Sequence, residues 1–192
     1  AADRVISTSM ELGGNAPFLV LAEANVDDAV SGAMLAKMRN GGAACTAANR
    51  FYVAKELAED FTSKLAAAMS QLKMAPGTSN GAQLGASVSV KERNKIAELV
   101  DSSVSNGAVV KTGGKTPDGT GAFYPATVLT VKNNNPILAQ EIFGPVAPIV
   151  ITSSDEEAIE LANATEFGLI AYVYSGDLKR AIKVAEALES GM

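Results

Sequence analysis

The sequence predicts an α/β fold, a largely parallel open twisted sheet flanked by helices. Three observations predict it. Short apolar runs of strand length alternate with longer stretches whose apolar residues recur at the helical period. The alternation continues to the end of the chain without an internal repeat or a low-complexity segment. Strands alternating with helices bury their apolar faces best as one central sheet between helical layers.

The elements follow in order. Arg4 to Met10 reads as a strand-like approach to Glu11, and residues 16–21 form an apolar run of strand length. Asn25 can cap a helix whose first turn carries Asp27 and Asp28, where carboxylates complement the dipole. Val26, Ala29, Val30, Ala33, Met34 and Met38 keep one face, and Asn40-Gly41-Gly42 stops it. Residues 50–54 read as a strand. A helix over 56–73 follows, with Leu57, Phe61, Leu65, Ala68, Met69 and Leu72 as its core face. After a Gly/Ser/Asn/Pro loop over 76–85, a helix over 91–105 closes at Asn106-Gly107. Strands are expected over 108–112, over 123–131 with an interruption at Pro125, over 146–151 and over 169–174. Helices are expected over 155–163 and 177–189.

At 192 residues the chain suits one domain, since domains run about 50–250 residues. With 47% hydrophobic and 19% charged residues it is globular in composition. A net charge of −5 and dispersed basic residues argue against nucleic acid. No apolar run approaches the ~20 residues of a membrane helix, and the first ten residues lack the pattern of a secretory signal. A single cysteine excludes an internal disulfide and suits a reducing compartment, so a cytoplasmic location is expected. No metal-ligand constellation stands out.

Cys45 and Glu11 carry the chemistry. A thiol nucleophile needs a base, either for itself or for the water that follows it. The chain contains no histidine, which excludes a Cys–His dyad and leaves a carboxylate. Glu11, in Glu11-Leu12-Gly13-Gly14-Asn15-Ala16-Pro17, is the best placed candidate. A lone cysteine is ordinarily a small buried hydrophobe. Gly41, Gly42, Ala43, Ala44, Ala47 and Ala48 around Cys45 instead leave room for a substrate and for backbone donors.

These two segments, together with Glu141-Ile142-Phe143-Gly144-Pro145-Val146, resemble the aldehyde dehydrogenase superfamily in order and spacing, and the resemblance runs the length of the chain. It implies a catalytic domain spanning 1–192, with the dinucleotide-binding domain and C-terminal tail outside the chain, because whole members are more than twice as long. It implies NAD or NADP as cofactor, a small aldehyde as substrate and a homo-oligomeric parent. Cys45 would attack the aldehyde, its own backbone N–H helping to hold the oxyanion. Glu11 would activate the water that cleaves the thioester, burial bringing its carboxyl towards the operating range. Glu141 would bind the ribose on the nicotinamide side, Phe143 would pack near the nicotinamide, and Gly13 would let the cofactor approach.

Arg39 and the segment through Ala48-Asn49-Arg50 resemble the succinate-semialdehyde dehydrogenases. There the matching arginine grips the distal carboxylate, a bidentate task for which lysine is poorly suited. Its bland alternative is a solvated cation at a helix end. The chain departs from many relatives in having Ala43 where they carry glutamine. Ala47 stands where some succinate-semialdehyde enzymes have a second, redox-active cysteine. The Gly-rich dinucleotide segment and the side-chain asparagine of the family's oxyanion hole are not in the chain. Gly113-Gly114 with Gly119 and Gly121 is a turn-rich loop, and Asn15 and Asn49 read as turn and packing residues. Two further readings stand beside the oxidoreductase: a non-catalytic interaction domain, and a cofactor-independent thiol esterase built on Cys45 and Glu11.

Overall fold

Side chains along the apolar runs point alternately to two cores, so the sheet is buried on both faces. The computed structural model describes residues 1–192. Its strands are β1 (Ala16–Val20), β2 (Ala48–Ala54), β3 (Val109–Thr112), β4 (Thr127–Thr130), β5 (Val146–Thr152) and β6 (Tyr172–Tyr174). Its helices are α1 (Val26–Met38), α2 (Ala58–Ser70), α3 (Val90–Ser105), α4 (Asp155–Asn163) and α5 (Leu178–Ala187). They form one six-stranded sheet in the order β3-β4-β5-β2-β1-β6, parallel except for the antiparallel β3–β4 pair.

Phe18, Val20, Phe51, Val53, Ala147 and Ile149 meet Ala29, Ala33, Phe61, Leu65 and Met69 of α1 and α2 on one face. Leu19, Leu21, Tyr52, Val146 and Val150 meet Ile96 and Val100 of α3, Ala158 and Ala162 of α4 and Val184 of α5 on the other. This is the three-layer arrangement that the alternation predicts. Caps fix the helix starts: the Asn25 side chain accepts from Asp27 and Asp28 backbone N–H groups, and Ser89, Ser154 and Asp177 do the same for α3, α4 and α5.

Several expectations are corrected. The approach to Glu11 is no strand: Ala2–Arg4 is a short 3-10 turn and residues 6–15 are irregular, with no neighbouring strand for them to pair with. The run 123–131 keeps only β4, because Pro125 has no N–H for the ladder. The run 169–174 keeps only β6, and the helix expected over 56–73 is shorter at both ends.

The topology decides where the site can lie. Helix α1 leaves the carboxyl end of β1 and returns the chain to the amino end of β2. Asn15, Ala47, Pro145 and Ala171 therefore sit together at the amino ends of four parallel strands. Open α/β sheets ordinarily bind ligands at the carboxyl ends. Here the candidate residues gather at the opposite edge.

Candidate active site

Cys45 sits in a tight turn between α1 and β2. The α1 helix ends at Met38 with Arg39 as its C-cap, and the next three residues, Asn40 (φ 52°), Gly41 (φ 61°) and Gly42 (φ 79°), are all left-handed. Asparagine and glycine are the residues that adopt this conformation at low cost. At Gly42 the reason is also steric, because a Cβ would run into the Gly144 carbonyl oxygen. The Ala47 N–H then donates to the Ala44 carbonyl at 3.0 Å, which places Cys45 second in a four-residue turn. Two side chains brace the turn: the Asn40 amide donates to the Ala43 carbonyl at 2.8 Å, and the Tyr172 hydroxyl to the Thr46 carbonyl at 2.8 Å. Cys45 is half-buried and free. Its backbone N–H makes no hydrogen bond within the chain, so it is available to an oxyanion.

Gly13 and Gly14 lie between this turn and Glu141. A Cβ on Gly14 would overlap the Cys45 carbonyl oxygen, and one on Gly13 would lie 2.8 Å from Glu141 Oε2. The Gly14 N–H donates to Glu141 Oε1 at 2.7 Å. Three segments separated by up to 127 positions thus meet through two glycines. Glu141 Oε2 receives no hydrogen bond from the protein, and Phe143, 46% exposed, stands between clefts of about 500 and 600 Å³. A half-buried carboxylate oxygen awaiting a donor, a glycine cradle and an exposed ring fit the ribose and nicotinamide of a dinucleotide.

Glu11 lies three residues before Gly14 in sequence, is exposed and makes no ion pair or hydrogen bond. The burial expected for it is not found in this chain, because the irregular segment before Gly13 packs on nothing. Arg39 is exposed at the end of α1, also without a paired carboxylate. Its charge nonetheless acts on the Tyr172 hydroxyl, whose pKa is raised by burial and pulled back by the Thr46 hydrogen bond and by Arg39. Arg39 and Tyr172 therefore flank the Cys45 turn.

Arg50 is entirely structural. Its buried guanidinium donates to the Asn15, Leu161 and Ala162 carbonyls at 2.9, 3.1 and 3.0 Å, two of them in the last turn of α4. Asn15, just before β1, and Asn49, within β2, are buried and hydrogen-bonded, so they pack as expected but neither sits in a turn. Two residues of the cluster escape the sequence reading. Tyr172 reads only as a strand aromatic. Lys37, with 0% of its surface exposed, reads as a solvated position near the end of α1.

No group of three or more His, Cys, Asp or Glu side chains is arranged to hold a metal ion, and no helix is long and apolar enough to cross a membrane.

The comparisons with known proteins agree with one another. The model of the aldehyde dehydrogenase family matches residues 1–192. A succinate-semialdehyde dehydrogenase of Paenarthrobacter nicotinovorans is 53% identical over the whole chain, which covers 43% of that protein. A 3-sulfolactaldehyde dehydrogenase of Pseudomonas putida is 45% identical over the whole chain, covering 40% of it. The crystal structure of succinate-semialdehyde dehydrogenase from Burkholderia pseudomallei superposes with a TM-score of 0.95 at 45% identity, again over the whole chain and 40% of that structure. The chain thus spans about two fifths of the length of these relatives.

Proposed function

The chain belongs to the aldehyde dehydrogenase family, and on that footing we propose that it carries the nucleophile of an NAD- or NADP-dependent oxidation of a carboxylate-bearing aldehyde, succinate semialdehyde foremost. The observation that supports this most is the meeting of the Cys45 turn, Gly13-Gly14 and the Glu141 carboxylate at one edge of the sheet.

The Cys45 thiolate adds to the aldehyde carbon, and the new oxyanion is held by the Cys45 backbone N–H. An oxidised nicotinamide, when bound, would supply the hydride acceptor that lets the tetrahedral carbon re-form its carbonyl as a thioester. Glu141 would hold the ribose through its unpaired Oε2, and Phe143 would offer a face to the nicotinamide ring. Glu11 takes a proton from water, the hydroxide displaces the Cys45 thiolate, and the acid leaves. Arg39 pairs with the distal carboxylate of the substrate.

The test is a dehydrogenase assay on a full-length enzyme carrying this chain, with succinate semialdehyde and with butanal. The expected result is dinucleotide reduction that favours the carboxylate substrate and disappears in Cys45→Ala. Retained turnover in Cys45→Ala would remove the thiol mechanism. Hydrolysis of activated esters without any dinucleotide reduction would make the chain an esterase.

A further inference from the structure

Lys37 is the most deeply buried cation of the chain, and no step above uses it. Its Nζ donates to Asn49 Oδ1 at 2.9 Å and to the Ile142 carbonyl at 3.3 Å. The Asn49 amide reaches on to the Gly14 carbonyl at 3.5 Å, and the Gly14 N–H donates to Glu141 Oε1 at 2.7 Å. Glu141 and Ile142 are consecutive, so the bonds close a ring: Lys37, Asn49, Gly14, Glu141, Ile142 and back to Lys37. Room for the amine comes from Gly42, since a Cβ there would lie 3.2 Å from Lys37 Cε.

We propose that Lys37 is a positioning residue, holding the Cys45 turn, the Gly13-Gly14 segment and the Glu141 loop at fixed separation through Asn49 and the Ile142 carbonyl. Its role in turnover rests on the functions assigned above to Cys45 and Glu141; the hydrogen-bonded ring does not. A buried lysine is expensive unless its donors are met, and a neutral amine has two hydrogens for the two acceptors present. Burial accordingly lowers the Lys37 pKa from 10.5 to about 7, with the Glu141 carboxylate opposing that shift. The charged groups around it are few. Glu141 faces it from the loop before β5. On β2, Arg50 is engaged with the Asn15 carbonyl just before β1 and with two carbonyls of α4. On α2, Lys64 pairs both with Asp60 and with Asp27, which lies at the far end of α1.

The experiment follows the Gly14 amide by NMR in the full chain, with neither aldehyde nor dinucleotide present. In the unaltered chain and in Cys45→Ser, its chemical shift should titrate with a midpoint near that of Lys37. In Lys37→Met the titration should vanish, and Gly14 hydrogen exchange should accelerate on the order of tenfold, the factor for one weakened hydrogen bond. Amides of Phe18 and Phe51 in the ladder should keep their protection. Asn49→Leu, which opens the ring from its other side, should reproduce the faster exchange. An unchanged Gly14 titration in Lys37→Met would overturn the proposal, as would protection lost equally across β1 and β2. Both readouts are independent of whether the chain oxidises aldehydes.

Discussion

Gly14 packs directly on the Cys45 carbonyl, closely enough that a single methyl group would collide with it. The obstacle is backbone in a braced turn, so it cannot swing aside. Gly14→Ala should therefore destabilise the fold by ~1–3 kcal/mol, the usual cost of overpacking, and should also disturb the thiol. Urea unfolding and the rate of Cys45 alkylation measure the two effects. Stability and alkylation both unchanged would mean that the two segments are not in contact.

Gly13→Ala should behave differently. Its Cβ would meet the Glu141 carboxylate, a side-chain end that can move. Stability should fall by less than in Gly14→Ala, while KM for the dinucleotide rises in a full-length enzyme carrying this chain. Steady-state kinetics with varied dinucleotide check this, and an effect on kcat alone would contradict it.

Stability should depend on pH through Lys37. Its pKa is about 7 in the folded chain against 10.5 otherwise, so between those values the unfolded chain binds more protons. Stability from this group is therefore lowest below pH 7 and rises as pH climbs towards 10.5. At the upper end Tyr52 and Tyr124 act in the opposite sense, because burial raises both phenols and the unfolded chain ionises first. The difference in unfolding free energy between wild type and Lys37→Met isolates the lysine. It should shift in favour of wild type from pH 7 to 9, and a difference independent of pH would contradict the burial of the amine.

Arg39→Ala should cost ~1.5–3 kcal/mol against succinate semialdehyde, roughly tenfold to over a hundredfold in kcat/KM. Butanal should be nearly unaffected. Equal losses on the two aldehydes would make Arg39 a structural residue.

The parts legible in the sequence were those whose residue type alone limits the possibilities. Cys45 is the only thiol, Asn40-Gly41-Gly42 announces the helix stop before it, and the cap at Asn25 marks the start of α1. Lys37 was not legible, because a lysine near a helix end belongs in solvent by default. Only the three-dimensional meeting of Asn49 with Ile142 gives its amine two acceptors. The strand expected before Glu11 failed for a related reason. Val5, Ile6 and Met10 form a plausible strand pattern, yet they lie exposed, with no neighbouring strand for them to pair with. The gathering at the amino ends of the strands was also hidden, since strand direction emerges only from the topology.

The most direct measurement is the intact mass of the Glu11→Gln variant of a full-length enzyme carrying this chain, taken during turnover of succinate semialdehyde with dinucleotide. Removing the base should slow thioester hydrolysis by ~10²–10⁴ while leaving acylation in place. One succinyl group should accumulate per chain, and peptide mapping should place it on Cys45. An unmodified chain turning over at the wild-type rate, or a succinyl group on any other residue, would contradict the pairing of Cys45 as nucleophile with Glu11 as base.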